Sequence, residues 1–351
     1  MTDANGAAGA GGAGANGDPV EGLGGPLLWG FVLSRSGAAR AVADEDDAAR
    51  SAAGVTAEAP VWLHLHAPDP GTPAFLRDRL GLDPVLAEAM LEAETQPRSA
   101  EFGDVRLVIL RAVNMNPGAE PEDMVSLRAA FGERLVVTAR LRPLMAARAL
   151  RDRCASEAPP RSAGAVAALL ASGIVDRMGP PVLGLRDGID AIEEAVLEAP
   201  GSGRASRRAA KELPETRRRA VILRRYIAPQ QGVLLGLARD AAAPLDKADR
   251  SALREAADDV ARLVADLEAV RDRAAVIGDE LQSRASERSN RTTYVLTVLA
   301  GLFLPVTAVS GLLGMNVGGI PLADSGRGFV VVCVLMLALV VATAALLARL
   351  R

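Results

Sequence analysis

Two stretches near the C-terminus carry no charged residue, Thr293 to Ala323 and Gly328 to Ala348. Within them, TYVLTVLAGLFLPVTAVSGLLG (Thr293–Gly314) and GFVVVCVLMLALVVATAALLA (Gly328–Ala348) are mainly apolar and carry no charged face. A soluble helix keeps one polar face, whereas a bilayer span needs about 20 apolar residues. Both segments are therefore expected to cross a membrane. Residues 1–17 are mostly Gly and Ala, without the basic start and apolar core of a secretory signal. They read as part of a disordered tail over 1–25. Arg284, Arg288 and Arg291 precede the first span, Arg349 and Arg351 follow the second, and only Arg327 lies between. The positive-inside rule then puts both termini in the cytoplasm and the 315–327 loop outside.

Composition excludes several functions. Of 351 residues only two are cysteines, Cys154 and Cys333, and two are histidines, His64 and His66. A disulfide scaffold and a Cys-rich zinc site are ruled out. The formal net charge is -3, which gives no electrostatic case for nucleic acid. No nucleophile–base set, phosphate loop or cofactor fingerprint is present, so an enzyme acting on a small organic substrate is not expected.

Short apolar runs bounded by Gly and Pro, at 26–35, 60–66, 105–113, 124–130 and 134–139, read as strands with helices between. They predict a cytoplasmic α/β domain over 26–155, followed by a helical region over 156–245. From 246 to 292 a stalk helix is expected. There Leu253, Val260, Leu267, Ala274 and Leu281 recur every seven residues, with Ala256, Leu263, Val270 and Ile277 at the companion spacing. Nothing ends this helix before the first span, so stalk and span should be one helix from about 247 to 314, roughly 100 Å long.

A second stripe runs along that helix. Asn290, Thr293, Thr297, Ala300, Leu304, Thr307, Gly311 and Gly314 are three and four residues apart and share a face. Small and polar residues inside a span mark either a helix–helix seam or a water-filled path. The same face extends down the stalk through Asp258, Asp272 and Asp279, either a solvated surface or a vestibule whose carboxylates attract cations.

The first span ends in Gly314-Met315-Asn316, followed by Val317-Gly318-Gly319-Ile320-Pro321. A GMN tripeptide at the outer end of the penultimate span, with a second span closing the chain, resembles the CorA-type divalent-metal transporter superfamily. The continuation GMNVGGIP is similar to its ZntB zinc-transporter branch, as are TQPR (95–98), VILRAVNMNPG (108–118), MVSLR (124–128), LRRYIAPQ (223–230) and YVLTVLAGLFLP (294–305).

The resemblance implies a funnel-shaped homopentamer in the bacterial inner membrane. Its fold would be an α+β membrane protein: a cytoplasmic α/β domain, a stalk helix continuous with the pore helix (293–314), an external GMN loop (315–327), an outer span (328–348) and a cytoplasmic end (349–351). It implies no bound cofactor, with Zn²⁺ as cargo. Gly314, Met315 and Asn316 would form the pore entrance, with Asn316 holding the ion through its hydration shell. Asn290, Thr293, Thr297, Ala300, Leu304, Thr307 and Gly311 would line the pore, Leu304 as an apolar constriction. Asp324 and the funnel carboxylates Asp258, Asp272 and Asp279 would be further metal-attracting groups. Magnesium-type members carry an acidic loop after GMN, whereas here Asp324 is the only loop carboxylate. The resemblance further suggests proton-coupled uptake. No Asp, Glu or His lies within either span, so coupling would use Asp324, the funnel carboxylates or water. A magnesium or cobalt channel, and a membrane-anchored scaffold, are the alternative readings.

His64 and His66 share one strand face and read as a structural pair. Trp29 and Trp62 read as core, and Arg217–Arg225 as a solvated basic helix face.

Overall fold

The structure is a computed structural model and describes residues 23, 25–156, 158–198, 203–315 and 325–349. The chain divides into two units, which meet between Ala275 and Val276.

The first unit is built on a seven-stranded sheet. Its strands are β1 (Leu27–Leu33), β2 (Ala39–Ala41), β3 (Val61–His66), β4 (Arg98–Phe102), β5 (Val105–Ala112), β6 (Val125–Phe131) and β7 (Leu135–Arg140). The order is β2-β1-β3-β7-β6-β5-β4, with β3 and β7 parallel and every other pair antiparallel. The two-residue turn between β4 and β5 places Gly103 at φ 58°, a left-handed conformation that a side chain would oppose.

Period-two patterning sets the two faces of this sheet. Val61, Leu63 and Leu65 of β3 join Leu107, Ile109, Val137 and Ala139 in one apolar layer. Three helical elements cover it: α1 (Glu45–Ala53), the short α2 (Thr72–Ala74) running on into a wide π-helical turn (Phe75–Arg79), and α3 (Pro84–Leu91). Asp83 starts α3 by accepting from the Val85 and Leu86 amides at 2.8 and 3.2 Å, and proline opens the helix. Trp62 and His64 point to the opposite face. There α4 (Met145–Cys154) sets Arg151 over the Trp29 ring, and α5 (Ala163–Asp176) crosses β3, β5, β6 and β7.

That second face holds a buried polar knot. Thr138 Oγ1 donates to the Leu63 carbonyl at 3.1 Å and accepts from Trp62 Nε1 at 2.9 Å. Its only proton is thereby used, so its 2.7 Å contact with His64 Nδ1 requires the imidazole to donate from that nitrogen. His64 also stacks on Trp29, with ring centroids 4.3 Å apart. Both tryptophans are core, and His64 is fully buried while His66 is half-buried.

The remaining helices are α6 (Gly179–Glu198), α7 (Gly203–Arg239), α8 (Lys247–Leu313) and α9 (Gly328–Arg349). The Gly-Pro-Pro at 179–181 opens α6, where proline amides have no helical partner to lose. Asp246 and Asp249 cap α8 reciprocally: the Asp249 amide donates to Asp246 Oδ1 at 2.7 Å and the Asp246 amide to Asp249 Oδ2 at 3.2 Å. Along the start of α8, Leu253, Ala256, Val260, Leu267, Val270 and Ala274 are buried. Helix α7 carries its own seven-residue seam, Leu213, Ala220, Ile227 and Leu234, also buried. Ion pairs tie α8 to its neighbours, Arg224 of α7 to Glu268 at 2.6 Å, and Arg273 to Asp190 and Glu193 of α6. The seam of the stalk is thus buried within the chain as far as Ala274, with Leu263 half-buried. Apolarity and length would also admit Ala163–Leu197 as a span, but half of its most apolar window is buried in this unit.

The second unit contains the rest of α8 and α9. Both are long and apolar enough to cross a membrane, and almost none of either apolar window is buried.

Two outcomes test the polar knot. Thr138→Val strands the Trp62 and His64 donors, each worth about 1–3 kcal/mol when left unsatisfied. The thermal midpoint of the solubilised chain should fall by several degrees, and an unchanged midpoint would contradict the bonding described. Burial, with Arg140 and His66 adding to it, holds the His64 pKa well below its ordinary value of 6.5. The folded chain therefore excludes a proton that the unfolded chain takes up below about pH 6.5. Stability should be full above that pH and decline as pH falls beneath it, and His64→Gln should flatten the decline.

Candidate ion path

The geometry of the two apolar helices can be read from which residues each buries. On α8, Val298, Gly301, Leu302, Pro305, Val306, Val309 and Leu313 are half-buried, and their neighbours are exposed. On α9 the less exposed positions are Gly328, Val332, Met336, Leu339, Val340 and Thr343. Both sets step by three and four, so each is one helix face. They meet as a hairpin, with Ser310 Oγ 3.6 Å from Met336 Sδ.

The polar stripe takes no part in that contact. Asn290, Thr293, Thr297, Ala300, Leu304, Thr307, Gly311 and Gly314 are all exposed. At about 100° per residue they lie on the side of α8 opposite the α9-facing ridge. The seam reading is therefore excluded for the chain's own second span. Leu304, at 68% exposed, is the large apolar residue of this stripe.

Hydroxyl chemistry along the stripe is specific. Thr297 donates to the Thr293 carbonyl at 2.8 Å, and Thr307 to the Phe303 carbonyl at 2.8 Å. Each proton is satisfied inside the helix, so each oxygen presents only lone pairs outward. Such a surface accepts hydrogen bonds from water, including the polarised first-shell waters of a cation.

At the end of α8 the Gly314 amide donates to the Ser310 carbonyl at 2.9 Å, and Met315 follows, half exposed. Asn316 and Asp324 lie outside the described residues. Asp258, Asp272 and Asp279 are all exposed on α8. Asp272 is not a free carboxylate, because it accepts from Arg271 at 2.7 and 2.9 Å. Asp258 and Asp279 join no ion pair among the described residues. Among those residues no three His, Cys, Asp or Glu side chains converge to hold a metal. His64 and His66 share a face as read, but the knot around Thr138 engages His64 Nδ1 and the ring is fully buried. Sequence reasoning missed the ridge facing α9. Its signal was Pro305 and the larger residues at three-and-four spacing opposite the stripe.

Comparisons with known proteins agree with this architecture. The profile of a family described as "CorA-like Mg2+ transporter protein" matches residues 57–349. The divalent cation transporter CmaX of Pseudomonas aeruginosa is 38% identical over 314 residues, covering 88% of this chain and 92% of that protein. The zinc transport protein ZntB of Yersinia enterocolitica is 30% identical over 289 residues, covering 82% and 86%. A solved structure of full-length CmaX superposes with a TM-score of 0.79 at 37% identity, over 93% of this chain and 98% of that one.

Because α9 covers the ridge and leaves the stripe open, cysteines on the two sides should differ in reactivity. In a Cys154→Ser/Cys333→Ala background, Thr297→Cys and Thr307→Cys should react with a charged thiol reagent about tenfold faster than Val298→Cys or Val309→Cys. Equal rates would contradict the packing of the hairpin. The CorA-type fold, with its soluble α/β domain and long helix, and the extent of these matches place the chain in the CorA-like family, as a divalent-cation transporter of membranes and not an enzyme.

Proposed function

We propose that five copies of the chain surround a water-filled axis in the bacterial inner membrane and carry divalent cations, zinc foremost, through it. The observation that carries this reading is the placement of the Asn290–Gly314 stripe opposite the α9-facing ridge. A face of hydroxyls, one amide and glycine is a poor lipid surface and finds no cover within its hairpin. Turning it to a common axis gives it water, while α9 forms the outer, lipid-facing ring. The basic residues flanking the two helices keep both termini cytoplasmic and the GMN loop (315–327) outside.

The chemistry follows from the donor set. Thiolate or imidazole ligands would hold zinc too firmly for flux, and the stripe has neither. At the external mouth, five Asn316 amides would bond the first-shell waters of an M²⁺ ion without stripping them. Inside, the lone pairs of Thr307, Thr297 and Thr293 would accept from the same waters and hand the ion on. Gly311 and Ala300 leave room for the hydration shell, and Leu304 narrows the path with an apolar ring. Below, Asn290 and the exposed carboxylates Asp279 and Asp258 would lower the energy of the arriving cation. Asp272, shared with Arg271, would contribute less.

Zinc is preferred over magnesium because Gly-Gly-Ile-Pro stands where an acidic loop would attract a strongly hydrated ion, and because ZntB proteins are among the relatives. The likeness to CmaX, whose name specifies only a divalent cation, supports transport of divalent cations as a class.

The test is uptake of Zn²⁺ into proteoliposomes, with Mg²⁺ and Co²⁺ as competitors and with or without a pH gradient. Wild-type flux should favour Zn²⁺, and Asn316→Ala should lower it at least about tenfold while the oligomer survives. Mg²⁺ preference would move the chain to the magnesium reading. Complete absence of flux would leave only a membrane-anchored scaffold, and normal uptake by Asn316→Ala would remove that residue from the mechanism.

A further inference from the structure

From residue 222 up to Tyr294, only one large apolar side chain is strongly exposed among the described residues: Val276 of α8, at 69%. A single exposed valine on a helix is ordinary in itself. Its register is not. Positions 276, 279, 283, 286, 290, 293 and 297 step by three and four, so Val276 lies on the seven-residue stripe that carries Asp279, Ser283, Ser286, Asn290, Thr293 and Thr297; on a straight helix this stripe turns by about 20° per heptad, which a left-handed supercoil of neighbouring copies takes up. Asp279, Ser283, Ser286 and Asn290 are also exposed. Every position of this face between Val276 and Leu304 is polar or alanine. An apolar residue thus bounds the polar run at each end, about 40 Å apart along the helix.

We propose that Val276, with its copies around the axis, forms a second apolar constriction of the ion path on the cytoplasmic side. The inference rests on the pore reading above, and its occupant is the same residue in the other copies of this chain. A hydrated divalent ion cannot shed its water cheaply. A ring of valine methyls narrow enough to dewet therefore stops it, as a leucine ring does. Between the rings lies a wet chamber lined by hydroxyls and amides. Asp279, one turn from Val276, places a carboxylate at its lower mouth to hold a cation that has passed Leu304. Flux then requires both rings to widen, and closing either one is sufficient to stop it.

The experiment is initial Zn²⁺ uptake by proteoliposomes of the full chain, the pentamer checked by size-exclusion chromatography. Val276→Ser and the isosteric Val276→Thr should raise the rate at least about twofold by wetting the ring, and Val276→Phe should lower it about tenfold or more. An unchanged or reduced rate in both polar variants overturns the gate. In the Cys154→Ser/Cys333→Ala background, a charged thiol reagent applied to both sides should halt uptake by Val276→Cys as it halts uptake by Thr297→Cys. A block at Thr297→Cys with none at Val276→Cys takes Val276 off the path while the pore stands. A block at neither position removes the pore and this constriction together.

Discussion

A backbone amide in hydrocarbon has no water to turn to, and the two apolar helices at the C-terminus answer to that constraint. It makes both apolar segments helices, since a helix satisfies its amides within itself. It also disciplines the side chains. The Thr297 and Thr307 hydroxyls give their protons to carbonyls of their own helix, which leaves oxygen lone pairs as their only outward chemistry. A polar stripe that wants hydrogens from outside, on a helix whose opposite side is already packed, is most stable against water. On the proposed pore reading, the same stripe would be a surface that competes gently with bulk water for the shell of a hydrated cation.

The soluble unit solves a different problem, holding polar groups in a dry core. Thr138 serves the Trp62 indole, the Nδ1 side of His64 and the Leu63 carbonyl with one hydroxyl, while His64 Nε2 is buried without a hydrogen-bond partner among the described residues. Arg106 of β5 fixes the end of α7 through Asp240 at 2.6 Å, and this pairing holds the Asp240 carboxyl below its usual range. Arg128 is fully buried and gives one nitrogen to the Glu92 and Ala93 carbonyls. Burial, reinforced by Arg111, pulls its pKa down to about 10. These contacts tie the strands of the sheet to one another, to the residues after α3 and to the end of α7.

Legibility differed by element for physical reasons. The continuous α8 could be read from sequence because its heptad seam, the lack of a stop signal and the apolar run follow one another without a gap. The strands β1, β3, β5, β6 and β7 stood out because each is buried and apolar. By contrast, β2 and β4 are edge strands with exposed Arg and Glu, and α1 and α4 are rich in charge, so neither pair carried a hydrophobic signal. The stripe was visible as spacing. Its partner was not, because the face α9 takes depends on how two apolar surfaces fit, which periodicity does not encode. The pairing of Asp272 with Arg271 was likewise hidden, since charges at adjacent positions look solvated in a sequence.

The proposed pore requires the stripe from Asn290 to Gly314 to face a common aqueous axis. An electron cryo-microscopy map of the purified assembly in lipid nanodiscs tests it most directly. Five α8 helices are expected, with Thr297, Leu304 and Thr307 turned to the axis and α9 outside them. A map with Phe303 and Leu312 at the axis, or with the threonines packed dry against a neighbouring helix and no axial passage, would contradict it.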